Sequence, residues 1–246
     1  MTQAFPRIVD VGFSGILISF SDVLTEAANL AALSFRARVE AAKLLGVSET
    51  TTSLTSAYVL YDPLEICAAE LRLRLEEILQ SEDWAQASMP MGRRLWRVPA
   101  SFDGDHAPQL DEVASLTERT PDDAIAELCA EPLRVLTLGF APGQPYLGTL
   151  PPNWDIPRQT GLTKQVPIGA ITVAIRQVVL FATTAPTGWR QVGQCGFHGF
   201  QRGSDDPIAL RPGDEMEFYP VTGAELERLI TEDPTGNGGA TCEALE

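Results

Sequence analysis

From Leu138 to Leu150 the chain reads LGFAPGQPYLGTL. Three glycines (Gly139, Gly143, Gly148) and two prolines (Pro142, Pro145) surround Phe140 and Tyr146. Glycine invites positive φ and proline removes an amide donor, so no regular helix or strand is expected to run through the stretch. A shaped loop is expected instead. The preceding PLRVLTL (Pro132 to Leu138) reads as a strand, and further prolines and strand-like runs follow. A proline-stiffened loop delivered by a buried strand suits holding aromatic side chains in fixed places. The competing reading is an ordered turn whose aromatics belong to the core.

The 246 residues fall between one and two domains by length, and 44% hydrophobic with 21% charged residues is the make-up of a globular chain with a sizeable core. The net charge of −15 is shared along the chain, with six basic against twelve acidic residues up to Pro90 and twelve against twenty-one beyond it. Neither half is built to bind nucleic acid or anionic lipid. The opening MTQAFPRIVDVGF lacks the basic head and apolar run of an export signal, and no apolar stretch approaches the roughly 20 residues that span a bilayer. A cytoplasmic location is expected. Cys67, Cys129, Cys195 and Cys242 lie far apart with no CxxC, which fits reduced thiols better than disulfides or a zinc site.

In chain order, IVDVGFSGILISF (Ile8 to Phe20) reads as strand, turn, strand. Ser21 or Asp22 is expected to cap a helix reaching Leu45, with Gly46 ending it. SAYVLY (Ser56 to Tyr61) reads as a strand, and Asp62 and Pro63 are expected to start a second helix whose apolar residues run from Leu64 to Leu79 at helical spacing. Residues 1–90 therefore read as an α+β domain, with a boundary in the aperiodic Ser81 to Gly92. Residues 91–246 open with a strand at Arg94 to Val98, a polar turn from Ser101 to Pro108, and two short helices, near Leu110 to Arg119 and after Thr120–Pro121. Strands are then expected at Gln165 to Ile175, Val178 to Thr183, Gln191 to Val192 and Glu215 to Val221, the pattern of a barrel or sandwich. A helix over Gly223 to Thr231 and a loose tail from Asp233 to Glu246 close the chain.

The glycines of the central stretch lack the Lys-Ser/Thr pair of a phosphate loop. Cys195 and His198 form a lone CxxH with no second ligand pair, and Asp205 and Asp206 are hard donors poorly matched to it, so no metal site is expected. The same pair as nucleophile and base lacks an orienting third group, and a half-exposed thiol is expected at Cys195. His106, in the polar turn, is expected to be solvated. Pro157 pins the backbone before Arg158 in DIPR, which helps aim a guanidinium fork at an anion; an internal salt bridge is the alternative. Trp189, after Thr187 and Gly188, is either a site wall or core.

LGFAPGQPYLGTLP (Leu138 to Pro151), IPR (Ile156 to Arg158), VPIG (Val166 to Gly169), the GW of Gly188 and Trp189, and LRPGDEMEFYPV (Leu210 to Val221) occur in the order and spacing of the KipI / allophanate hydrolase subunit 1 family. Asn29 and the YDP of Tyr61 to Pro63 are also similar. The chain resembles that family over about residues 5 to 222. The family includes the B component of bacterial 5-oxoprolinase and corresponds to carboxyltransferase subdomains C and D of urea carboxylase. The resemblance implies an α+β protein with an N-terminal ferredoxin-like α/β sandwich (1–90) followed by a C-terminal cyclophilin-like β-barrel (91–246). It also implies a partner of the KipA / allophanate hydrolase subunit 2 type, with ATP used by the assembled complex to open 5-oxoproline to glutamate. Departures from the family pattern fall at Leu128, Leu162, Thr163, Ala170, Arg176 and Thr187, each expected to remove a polar group or add bulk along a cleft.

On this reading Phe140, Tyr146 and Trp189 wall an apolar-edged pocket, Arg158 and Lys164 hold a substrate carboxylate, and Gln144 and Gln194 supply neutral hydrogen bonds. The chain would be a hydrolase subunit inactive alone, acting on a small carboxylate or amide substrate. The resemblance leaves open a KipI-like inhibitor of a sensor histidine kinase, and the carboxyltransferase half of a biotin-dependent urea or amide carboxylase.

Overall fold

A computed structural model describes residues 5–245, so the reading of Met1 to Ala4 and the last residue of the expected tail lie outside the described residues. The chain divides into two compact units, residues 1–91 and 92–246. Among the described residues no helix is long and apolar enough to cross a membrane.

The first unit contains strands β1 (Arg7–Val11) and β2 (Gly15–Ser19), helix α1 (Glu26–Ala42), strands β3 (Val47–Ser53) and β4 (Ser56–Tyr61), and helix α2 (Ala68–Gln80). The sheet is antiparallel in the order β1-β2-β4-β3. Alternate residues Ile16, Ile18, Ala57 and Val59 face one way and pack against Phe35 and Val39 of α1, Leu71 and Leu75 of α2, and Trp84. The unit is thus a two-layer α/β sandwich. Its chain order, ββαββα, differs from the βαββαβ of a ferredoxin-like domain, because β1 takes the place beside β2 that a strand after α2 would take.

Local chemistry moves three expected boundaries. Thr25, not Ser21 or Asp22, caps α1 by accepting the Ala28 amide at 3.1 Å, and Lys43 in the left-handed region ends the helix before Gly46. Asp62 accepts the Leu64 amide within a separate turn, and α2 begins five residues after Pro63. The polar VSETTTS, not foreseen as a strand, pairs with β4 as an edge on which Ser48, Glu49, Thr51 and Ser53 are exposed while Thr52 is buried.

The second unit runs β5 (Arg94–Ser101), α3 (Leu110–Leu116), α4 (Pro121–Leu128), β6 (Leu133–Leu138), β7 (Pro145–Gly148), β8 (Thr163–Val166), β9 (Ala170–Ala174), β10 (Gln177–Leu180), β11 (Ala185–Thr187), β12 (Arg190–Cys195), β13 (Glu215–Val221), α5 (Gly223–Glu232) and β14 (Thr241–Ala244). Seven strands, β12-β9-β10-β7-β6-β13-β5, close into a barrel when Gln194 and Cys195 of β12 pair with Ser101 and Ala100 of β5. Only β13 and β5 run parallel. Val98, Val135, Leu147, Ile171, Val178, Val192 and Phe218, one from each ring strand, fill the interior, joined by Val113 of α3 and Leu128 of α4. This closed barrel is consistent with the cyclophilin-like architecture expected. The expected loose tail is instead ordered: Asp233 accepts the Thr235 and Gly239 amides, and β14 adds to β5.

Opposite-facing residues of the same strands build a second cluster. Ala170, Ala174 and Val179 turn away from the interior and meet Val166 of β8, Ala185 of β11, Phe181 and Trp189. The β8–β11 ribbon thus packs onto the outer wall of the barrel. That wall is where Tyr146 and Trp189 fall.

Candidate functional site

The central stretch is part loop and part strand. After β6 the chain turns tightly, with Gly139 N–H donating to Gln144 O at 3.0 Å and Gln144 N–H to Ala141 O at 3.1 Å. Phe140 sits at φ 70° within this turn and is 72% exposed. Gly143, also at φ 70°, lies against the Gly199 carbonyl, where an added Cβ would come within 2.1 Å of the oxygen. The expectation that no strand crosses the stretch is corrected by β7, which pairs with β6 and β10. Pro145 heads this short strand, a position proline tolerates, and Tyr146 and Leu147 then alternate, Leu147 into the barrel and Tyr146 onto the second cluster.

Tyr146 meets Trp189 edge to face, with ring centroids 6.1 Å apart at 78°. Arg158 places its guanidinium carbon 5.1 Å from the Trp189 ring centroid, within cation–π range. Trp189 is buried, while Arg158 is exposed and no ion pair holds it, so the salt-bridge alternative does not apply among the described residues. Tyr146, Trp189 and Arg158 therefore form one contiguous group with a free cationic edge. An exposed guanidinium braced against an indole face can receive a carboxylate, and the two rings offer an apolar flank.

The remaining site residues separate from this group. Lys164 is exposed on β8. Phe140 projects from the turn before β7. Gln144 and Gln194 are corrected to framework roles. Gln144 is buried and its Oε1 accepts the Ala182 amide. Gln194 Nε2 donates to Ile168 O at 2.6 Å and to Cys195 O at 3.1 Å, and its Oε1 accepts from Gln191. Gln194 has both ends of its amide satisfied by the fold and Gln144 is buried with its oxygen engaged, so neither is presented to a ligand.

The departures from the family pattern are also placed. Leu128 fills the barrel core and Ala170 the second cluster, so neither lines an open surface. Thr187 is buried and its hydroxyl accepts the Trp189 amide at 3.0 Å. Arg176, at φ 62°, donates Nε to Leu150 O at 2.9 Å. Cys195 is corrected from half-exposed to 1% exposed; burial pushes its thiol up to about 12, while His198 is exposed. His106 is half-buried rather than solvated, with Nδ1 2.9 Å from Ser101 Oγ.

Residues not singled out from the sequence surround the pair of Arg158 and Trp189. Gln159 Nε2 donates to Trp189 O at 3.1 Å, and Arg190 Nη1 donates to Pro157 O at 2.6 Å. Their only sequence signal is adjacency to Arg158 and Trp189, since a neutral amide and a lone arginine carry no motif.

A family model for the carboxyltransferase domain, subdomain C and D, matches residues 6–210. The B component of the 5-oxoprolinase of Bacillus subtilis (strain 168) is 27% identical over 230 residues, covering 88% of this chain and 93% of that protein. The solved structure of TTHA0988 matches with a TM-score of 0.71 at 27% identity, covering 85% of this chain but only 40% of that longer one. The K. lactis urea amidolyase matches with a TM-score of 0.72 at 18% identity over 97% of this chain and 16% of that one, a likeness of fold alone. With residues 6–210 matched, the central stretch among them, the chain belongs to the carboxyltransferase domain, subdomain C and D, family.

Proposed function

We propose that this chain is one subunit of an ATP-dependent amide or lactam hydrolase of the 5-oxoprolinase type, opening 5-oxoproline to glutamate with a KipA / allophanate hydrolase subunit 2-like partner. The observation that carries the reading is the convergence of Tyr146 and Arg158 on Trp189, in a chain whose relative along nearly its whole length is the B component of a 5-oxoprolinase. In this reading Arg158 receives the substrate carboxylate, Trp189 and Tyr146 flank the lactam ring, and Lys164, exposed on β8, is a further cation available to the substrate. The N-terminal unit, with β1 in the place of a terminal strand, is read as a rearranged ferredoxin-like domain.

The central glycines do not fit a phosphate cradle: Gly143 abuts Gly199 and Gly148 lies within β7. No step through nucleotide is therefore assigned to this chain, and ATP is left to the partner. The chain alone is expected to be inactive. Mixing it with the partner and following ATP-coupled ring opening tests the reading. Arg158→Ala is expected to raise KM by about 10- to 100-fold, the loss of one charge-assisted contact of about 1.5–3 kcal/mol. Full activity of that variant would remove Arg158 from the site. The fold likeness to urea amidolyase favours a second reading, a carboxyltransferase half, which predicts carboxyl transfer from a biotinylated carrier in place of ring opening.

A further inference from the structure

Arg158 and Trp189 lie thirty-one positions apart in the chain, so their mutual placement has to be enforced by something other than sequence proximity. Two sets of hydrogen bonds do this, one on each side. On the C-terminal side of Arg158, the Gln159 main-chain N–H donates to Gly188 O at 2.8 Å. The Gln159 side chain donates to Trp189 O at 3.1 Å and Thr163 Oγ1 at 3.2 Å, and its Oε1 accepts from Gln109 Nε2 at 2.9 Å. On the N-terminal side, the buried Arg190 donates Nη1 to Pro157 O at 2.6 Å and Nε to Glu112 Oε1 at 2.7 Å. Gln109 links the two sets, because its Nε2 donates to Gln159 Oε1 at 2.9 Å and to Glu112 Oε2 at 3.4 Å, while its Oε1 accepts the main-chain N–H of Gln191, the residue after Arg190, at 3.0 Å. The residues flanking Arg158 are thereby fastened to Trp189 and its two neighbours.

We infer that Gln159 and Arg190 are positioning residues that fix the Arg158 guanidinium against the Trp189 face, and that affinity for a planar ring carboxylate depends on them although neither touches it. This rests on the proposed role of Arg158. A guanidinium fork reads a carboxylate only when both are held in plane, and a displacement of about 1 Å can cost about 100-fold. The backbone bond from Gln159 to Gly188 survives side-chain replacement, so a milder, roughly tenfold loss is expected from Gln159→Leu.

The test is a double-mutant cycle in the assembled complex with 5-oxoproline as substrate, KM and kcat being measured for the parent, Gln159→Leu, Arg158→Ala and the double variant. Gln159→Leu is expected to raise KM about tenfold with kcat within about twofold, yet to raise it less than about twofold when Arg158 is already alanine. An equal rise in both backgrounds would mean a general structural effect and would overturn the inference. A parental KM for Gln159→Leu, with Arg158→Ala impaired, would overturn it while leaving the role of Arg158 standing. A parental KM for Arg158→Ala would remove that role and the inference together. Should Gln159→Leu fail to fold, Gln159→Glu keeps the acceptor for Gln109 but loses both side-chain donations, and the same criteria apply to it.

Discussion

Trp154 shows how one side chain can depend on a charge it does not carry. Its indole lies in the barrel core, and its Nε1–H donates at 2.8 Å to Glu127, which also accepts Asn153 Nδ2 at 2.9 Å and Arg119 Nε at 2.6 Å. The bonds from Asn153, Arg119 and Trp154 hold the Glu127 carboxyl below its ordinary range. A depressed folded pKa adds stability that is complete above the ordinary carboxyl value of 4.5 and drains away as pH falls through the folded value. Glu127→Gln is therefore expected to cost about 1 kcal/mol in urea unfolding at neutral pH, with the gap from the parent closing as pH falls below 4.5. Cys195 gives the opposite case. With its thiol pushed up to about 12 by burial, only about one molecule in ten thousand carries a thiolate at about pH 8. A thiol reagent is expected to label the exposed Cys67 and Cys242 in the native chain and Cys195 only after denaturant is added. Native labelling of Cys195 would reopen the nucleophile reading of the CxxH.

Among elements, the turn between β6 and β7 is shaped less by its prolines than by what it leans on. Gly143 and Gly199 pack backbone to backbone, and the GFHG segment is fastened in turn by Ala209 N–H to Gly199 O and His198 N–H to Gly236 O. Gly143→Ala combines a clash with a carbonyl oxygen and a left-handed φ, and is expected to cost about 2 kcal/mol or more in thermal or urea unfolding. An unchanged melting temperature would show that the two segments part easily. The entrance to β5 is secured by another contact, the buried Asp214, which accepts Arg94 Nη2 at 2.5 Å and the Arg94 amide at 3.0 Å. The LRPGDE run thus owes its acid to a structural clasp beside β13. The β8–β11 ribbon matters differently: without Val166 and Ala185 over the barrel wall, Ala170 and Ala174 would face water and Trp189 would lose part of its cover.

At the scale of the molecule, the two units have separate hydrophobic clusters, Phe35, Leu71 and Trp84 in one and Val98, Ile171 and Phe218 in the other. We expect polypeptides 5–91 and 92–245 to fold separately, each showing cooperative thermal unfolding by circular dichroism; a piece that stays unstructured would refute the boundary. Much of this plan was readable beforehand because it rests on local rules. Apolar runs broken by glycine marked β2, strand-like SAYVLY and EMEFYPV marked β4 and β13, helical spacing marked α2, and Thr120–Pro121 announced α4. Short-range chemistry misled where neighbours compete, as when Thr25 displaced Ser21 as a cap and when β14 was expected to be loose tail, and it was silent on β3 and β11, whose strand character comes from the edges they join. The candidate site divides along the same line. The proline-stiffened loop, the Pro157–Arg158 step, the Gly188–Trp189 turn and the family resemblance together nominated Tyr146, Arg158 and Trp189. Only the closed barrel brought them onto one wall, turned Gln144 and Gln194 inward to serve the backbone, and set Gln159 and Arg190 around Arg158, because contacts between residues so distant in sequence exist only once the strands carrying them have paired.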